Sequence, residues 1–258
     1  MCFDPDSRPP IDCGKLAVDT ETFRLGIAGG KSMAACFAVP SGIHAWGAGV
    51  VLLPDNRGVT PFYERLTECL ASEGFPVLAI DYFAREKGSA GMGGSSADMR
   101  ALMQRVADLT RDGCLEQMKA AVRFLRERSG VRKVMALGFC MGGRIAFLAA
   151  RPEFGLTGVI GLYGSTDAIL DAPGPTQVAD RMSGPVLGIF GGADASIPAT
   201  AVAGFGEALQ AAGVSHEIVV YPEAPHSFFD LAYAEHREIC ADTWRRVLGF
   251  LRGGQHTS

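Results

Sequence analysis

An α/β architecture is what this sequence predicts: a mostly parallel, doubly wound sheet entered through an N-terminal antiparallel hairpin. Three observations carry that reading. Short apolar runs alternate with helical stretches from about residue 49 to the end of the 258-residue chain. Several runs are apolar throughout instead of alternating with polar residues, as strands covered by helices on both faces must be. No repeat, low-complexity tract or long linker divides the sequence, so one domain over residues 1–258 is expected.

Taken in order, residues 21–27 and 33–39 flank Ala28-Gly29-Gly30, and read as the opening hairpin. Strands follow at 50–53, 77–80, 133–137, 158–162, 186–190 and 217–221. Helical stretches fall at 62–72, 96–110, 115–128, 144–151, 199–212 and 234–251. The alternation implies right-handed crossovers that lay helices on both sides of one sheet. The run KGSAGMGGSS over residues 87–96 breaks the pattern and reads as a flexible loop able to border a pocket.

Composition narrows the function classes. With 28 acidic against 24 basic residues the formal charge is −4, which leaves no basic patch for nucleic acid or an anionic membrane. Residues 1–10 include Asp4, Asp6 and Arg8 and lack the apolar core of a secretion signal. No apolar run approaches the roughly 18 residues of a membrane helix. The seven cysteines are scattered, without a C-x-x-C pair; reduced thiols and a cytoplasmic location are therefore expected. Cys and His never cluster at ligand spacing, so no metal is expected, and no obvious apolar surface helix calls for assembly beyond a monomer.

The most informative segment is Gly138-Phe139-Cys140-Met141-Gly142-Gly143, wedged between the apolar run at 134–137 and the helical run at 144–151. Strand, sharp turn and helix with G-x-C-x-G at the apex describe a nucleophile elbow, here with cysteine where serine is usual. Side chains two residues either side of the nucleophile would collide with the neighbouring strand or helix, hence the glycines. Such a turn points the N-terminus of the following helix at the sulfur, which favours thiolate. A buried structural cysteine would not need both glycines. No G-x-S-x-G occurs to compete with it.

A thiol nucleophile needs a base, and five histidines are present. Sites in open α/β sheets form at the carboxyl ends of the strands. His226, after the last strand in Pro222-Glu223-Ala224-Pro225-His226, alone lies on that edge with Cys140. His44, His216, His236 and His256 do not. The orienting carboxylate is expected at Asp194, after the penultimate strand, with Asp167 as its rival one strand earlier.

The order Cys140, Asp194, His226 is that of α/β-hydrolases, and the chain resembles the dienelactone hydrolase family from about residue 52 to 250. The nucleophile segment above, Gly191-Gly192-Ala193-Asp194 with Ile197-Pro198, and Pro225-His226-Ser227-Phe228 are similar to its three catalytic segments. Asp81-Tyr82-Phe83-Ala84-Arg85 is similar to the segment whose arginine holds an anionic substrate. The resemblance implies an α/β-hydrolase fold and cofactor-free hydrolysis of small lactones or esters. It also implies an acyl-cysteine intermediate, with the Met141 and Asn56 N–H groups holding the oxyanion. Two departures stand out. The family's glutamate after the third strand, which accepts a hydrogen bond from the resting thiol, is matched by Asp55. A second family arginine, four residues past the histidine, is matched by Asp230. Arg57 is expected to compensate from the other wall. A thioesterase or general carboxylesterase could use the same triad, and a non-catalytic binder or a redox sensor could keep the cysteine without turnover.

Overall fold

The computed structural model describes residues 8–42, 46–82, 114–229 and 234–253. The expected loop at 87–96, the helical stretch at 96–110, and Arg85 and Asp230 lie outside them.

Eight strands form one sheet. They are β1 (Val18–Gly26), β2 (Ser32–Pro40), β3 (Ala48–Leu53), β4 (Val77–Ile80), β5 (Lys133–Phe139), β6 (Val159–Leu162), β7 (Val186–Gly191) and β8 (His216–Tyr221). Their spatial order is β1-β2-β4-β3-β5-β6-β7-β8. The hairpin β1–β2 is antiparallel in the register Val18↔Pro40 to Gly26↔Ser32, and β2 meets β4 antiparallel. From β4 to β8 every pairing is parallel. The α/β-hydrolase fold expected from the sequence is the fold observed. Strands β3, β4, β6 and β7 are buried at every position, because helices cover both of their faces.

Five helices are described: α1 (Pro61–Ser72), α2 (Cys114–Ser129), α3 (Met141–Leu148), α4 (Ala199–Ala211) and α5 (Arg237–Leu251). Helix α1 opens with Pro61 at its first position, where the missing N–H costs nothing. Helix α2 buries Met118, Ala121, Val122 and Leu125, the i, i+3, i+4, i+7 stripe of an amphipathic helix. Helix α5 repeats the device with Cys240, Thr243, Trp244, Val247, Leu248 and Leu251. Helix α3 starts three residues before the sequence expectation and ends at Leu148. The elbow takes up a single residue, so Gly142 and Gly143 already belong to the first helical turn.

One expectation is corrected. Cys13 and Cys69 are joined as a disulfide across 56 residues, where reduced thiols were expected throughout. The N-terminal segment lies against the end of α1, with the Leu16 N–H donating to the Ser72 carbonyl at 3.3 Å. A Cβ on Gly14 would strike that same carbonyl. This long-range approach, invisible in cysteine spacing, is what brings the two thiols together.

Candidate active site

Parallel strands deliver the turns that follow them to one edge. That edge carries Pro54 to Arg57 after β3, Asp81 and Tyr82 after β4, Cys140 after β5, Tyr163 after β6, Asp194 after β7 and His226 after β8.

Cys140 sits at φ 53°, ψ −112°, a conformation that L-residues avoid and that persists only when surroundings over-determine it. Here they do. The Cys140 N–H donates to the Leu162 carbonyl on β6 at 2.9 Å, and its carbonyl accepts from the Arg144 N–H at 3.1 Å. A Cβ on Gly138 would run into the Gly142 carbonyl, and one on Gly142 into the Leu53 and Pro54 carbonyls. These two glycines let strand, helix and the turn after β3 close on the thiol. The other free cysteines are set apart. Cys36, Cys114 and Cys240 are buried, and burial pushes the thiols of Cys36 and Cys114 up to about 12 and about 11.

Asp194 and His226 meet as the sequence expected. His226 Nδ1 lies 2.6 Å from Asp194 Oδ2. Burial pushes the Asp194 carboxyl up, but hydrogen bonds from His226 and Ser196 outweigh it and hold the group below its ordinary value. An ionised carboxylate only accepts, so the proton of this pair resides on Nδ1. Asp167 has a different task. Its backbone carbonyl accepts a hydrogen bond from Arg144, and it forms part of the loop after β6. His216 opens β8 with Nδ1 2.8 Å from the Val214 carbonyl. His44 and His256 lie outside the described residues.

Three neighbours of the site went unrecognised in the sequence. Ser196 donates to Asp194 Oδ1 from its backbone N–H at 2.8 Å and its hydroxyl at 2.6 Å. Its Oγ lies 3.3 Å from His226 Nδ1. The available signal was an Asp followed two residues later by Ser, the Asx-turn pattern. Tyr163, at φ 40°, sets its ring 5.2 Å from the His226 ring and 5.5 Å from Phe228, fixing the imidazole from the side. Arg144 reads as an ordinary helix cation, yet it is fully buried. It donates to the carbonyls of Ser165, Asp167 and Pro173, tying the loop after β6 to the nucleophile helix. Burial lowers its guanidinium to about 10, and the nearby Asp167 opposes that shift.

The turn after β3 holds the other candidates. Asp55 is 1% exposed and pairs with Arg57, which is 18% exposed, through Nη2 at 2.7 Å. The carboxylate also accepts from Arg57 Nε at 3.1 and 3.2 Å, from the Arg57 N–H at 2.8 Å and from the Tyr63 hydroxyl at 3.0 Å. Burial and then the Asp55 charge raise the Tyr63 phenol well above its ordinary value, so it remains a donor. Tyr82 donates from its hydroxyl to the Pro54 and Asp55 carbonyls at 2.8 and 3.1 Å. Asn56 lies between Asp55 and Arg57, inside this clamp.

Comparison with known proteins agrees with the geometry. The family model described as the dienelactone hydrolase family matches residues 33–254. A candidate carboxymethylenebutenolidase of Salmonella typhimurium is 32% identical over 225 residues, covering 85% of this chain and 82% of that protein. Its counterpart from Yersinia pestis is 29% identical over 242 residues, covering 92% and 87%. A crystal structure of a candidate dienelactone hydrolase from Klebsiella pneumoniae superposes with a TM-score of 0.79 at 28% identity, covering 91% of this chain and 98% of that one. Matched along most of its length by the family model, and similar over most of its length to these relatives, the chain belongs to the dienelactone hydrolase family and is a hydrolase of ester or lactone bonds.

Proposed function

We propose that the protein hydrolyses small lactones or esters in a carboxymethylenebutenolidase-type reaction, through a Cys140–His226–Asp194 triad and an acyl-cysteine intermediate. The observation that carries this reading is Cys140 at the strained apex of a glycine-flanked elbow, on the sheet edge where Asp194 bonds His226. In the first half-reaction the Cys140 thiolate attacks the substrate carbonyl carbon. The carbonyl oxygen gains the negative charge and is held by the Met141 and Asn56 N–H groups. Collapse of the adduct breaks the C–O bond, and the departing alkoxide takes a proton from the His226 imidazolium. In the second, His226 removes a proton from water, the hydroxide attacks the thioester, and the thiolate leaves with the acid released. Asp194 holds the imidazole tautomer and stabilises its charged form throughout. Thiolate is a good leaving group, so poorly activated, bulky esters revert and small lactones or activated esters proceed. Dienelactone hydrolysis, as named for the family, needs a receptor for the substrate anion. Arg85 is the residue the family pattern offers, with Asp230 as a counter-charge. Neutral lactones are therefore the substrates to compare with anionic ones.

Substitution of the thiol tests this. Cys140→Ala should fold normally and lose at least about 10³-fold in kcat. Turnover within tenfold of the parent removes Cys140 from the chemistry.

A further inference from the structure

The turn after β3 is held from three directions by side chains that the reaction itself does not consume. Its Asp55 carboxylate is buried and receives four kinds of donor: Arg57 N–H, Nε and Nη2, and the Tyr63 hydroxyl. Tyr63 is reciprocally bonded, since its oxygen accepts from the Asp55 N–H at 3.0 Å. The Tyr82 hydroxyl fastens the Pro54 and Asp55 carbonyls. The absence of a side chain on Gly142 lets the Leu53 and Pro54 carbonyls seat against the nucleophile helix. The Asn56 peptide is bracketed by an ion pair formed between its two immediate neighbours. Displacing either neighbour strains the pair, so the pair restrains the turn that carries this peptide.

We propose that Arg57 is a positioning residue: acting through the buried Asp55 carboxylate, it orients the Asn56 N–H that binds the oxyanion, and it is not a receptor for a substrate anion. This inference rests on the hydrolase reading above. Two physical points support it. First, a guanidinium clamped through Nε and Nη2 to an internal carboxylate has its charge compensated. A substrate carboxylate would have to compete with a partner that is already desolvated and held by the chain. Withdrawing Arg57 would leave Asp55 as a buried, under-compensated charge, which is costly. Second, oxyanion donors act only when they are pre-aligned, and small displacements from a productive geometry cost large factors in rate. The pair therefore belongs with the fixed scaffold of the site. In the family pattern a glutamate at this position answers the resting thiol. In this chain the shorter aspartate is turned to its own arginine, two residues on.

The test uses the full chain and two p-nitrophenyl esters of similar size, one neutral and one bearing a free carboxylate. Arg57→Ala should lower kcat on both esters by tenfold or more, while the ratio of their KM values stays within about twofold. Alkylation of Cys140 by iodoacetamide should remain within about twofold of the parent, because the elbow is built from other contacts. The Asp55→Asn/Arg57→Ala double variant should be no slower than Arg57→Ala alone, since the buried charge is gone. Where Arg57→Ala does not fold by circular dichroism, Arg57→Lys, which keeps the charge but not the fork, carries the same comparison. A selective rise in KM for the carboxylated ester with kcat unchanged would make Arg57 an anion receptor and overturn the proposal. So would a fall in kcat below tenfold, or a fall matched by equally slowed alkylation, which marks a collapsed site. A parent that hydrolyses neither ester and forms no acyl-Cys140 removes the hydrolase reading itself, and the positioning role with it.

Discussion

Asp194 and Asp167 follow neighbouring strands, and the sequence favours Asp194 as the orienting acid with Asp167 as its rival. One hydrogen bond separates them: His226 Nδ1 reaches Asp194 at 2.6 Å, whereas Asp167 presents its backbone carbonyl to Arg144. Asp194→Asn should lower kcat by about 10³–10⁴-fold, because an amide can impose the wrong imidazole tautomer. Asp167→Asn should stay within about tenfold. Steady-state kinetics of the pair decide it, and the reverse ranking would move the acid to the β6 loop. The candidate residues whose placement could be read beforehand were those with a local signal. Cys140 announces itself through glycines two positions away, and His226 through its place after the last strand. Ser196, Tyr163 and Arg144 could not be read. What they do depends on a neighbour 21 to 63 positions distant in the chain: Ser196 and Tyr163 on His226, Arg144 on the loop carbonyls.

At the scale of elements, the parallel strands were readable to within a residue or two because buried parallel strands are short, continuous and apolar, whereas β1 begins three residues before its expected start. The run at 77–80 coincides with β4, and 186–190 falls one residue short of β7. Helix α3 was misplaced because glycines ordinarily argue against a helix start. In α3 they are required by close backbone approaches to the first turn, of the Leu53 and Pro54 carbonyls at Gly142 and of the Leu162 carbonyl and Gly164 at Gly143. This gives a contrast between two helical glycines. Gly142→Ala should destabilise the protein by at least about 2 kcal/mol, since the added methyl meets backbone that cannot withdraw. Gly204→Ala, in α4 with open space around its Cα, should be neutral or stabilising by up to about 1 kcal/mol. Chemical denaturation measures both, and equal effects would mean that the elbow does not depend on this contact.

For the whole molecule, alternation identified the architecture but not the strand order. β3 lies between β4 and β5, a crossover that the apolar pattern of each strand leaves unspecified. The Cys13–Cys69 disulfide was hidden for a related reason, being a product of where the N-terminal segment comes to rest on α1. The acid–base pair of the site also leaves a mark on overall stability. The Asp194 carboxyl is held below its ordinary value in the fold, so its bonds to His226 and Ser196 stabilise the native state above about pH 4. That contribution disappears as pH falls through the lowered native value. The urea midpoint of Asp194→Asn should therefore lie below the parent's near about pH 6 and approach it near about pH 3. A gap that stays constant across that range would mean the ionisation of this carboxyl adds nothing to folding.

The acyl-cysteine intermediate is the step on which the proposed mechanism turns, and trapping it is the direct test. A small activated ester mixed with the protein, quenched within a turnover and digested, should place one acyl group on the peptide containing Cys140. That adduct should persist longer in His226→Ala, where water is no longer activated. Steady hydrolysis with no acyl group on Cys140, or with the acyl group on another residue, would contradict the mechanism.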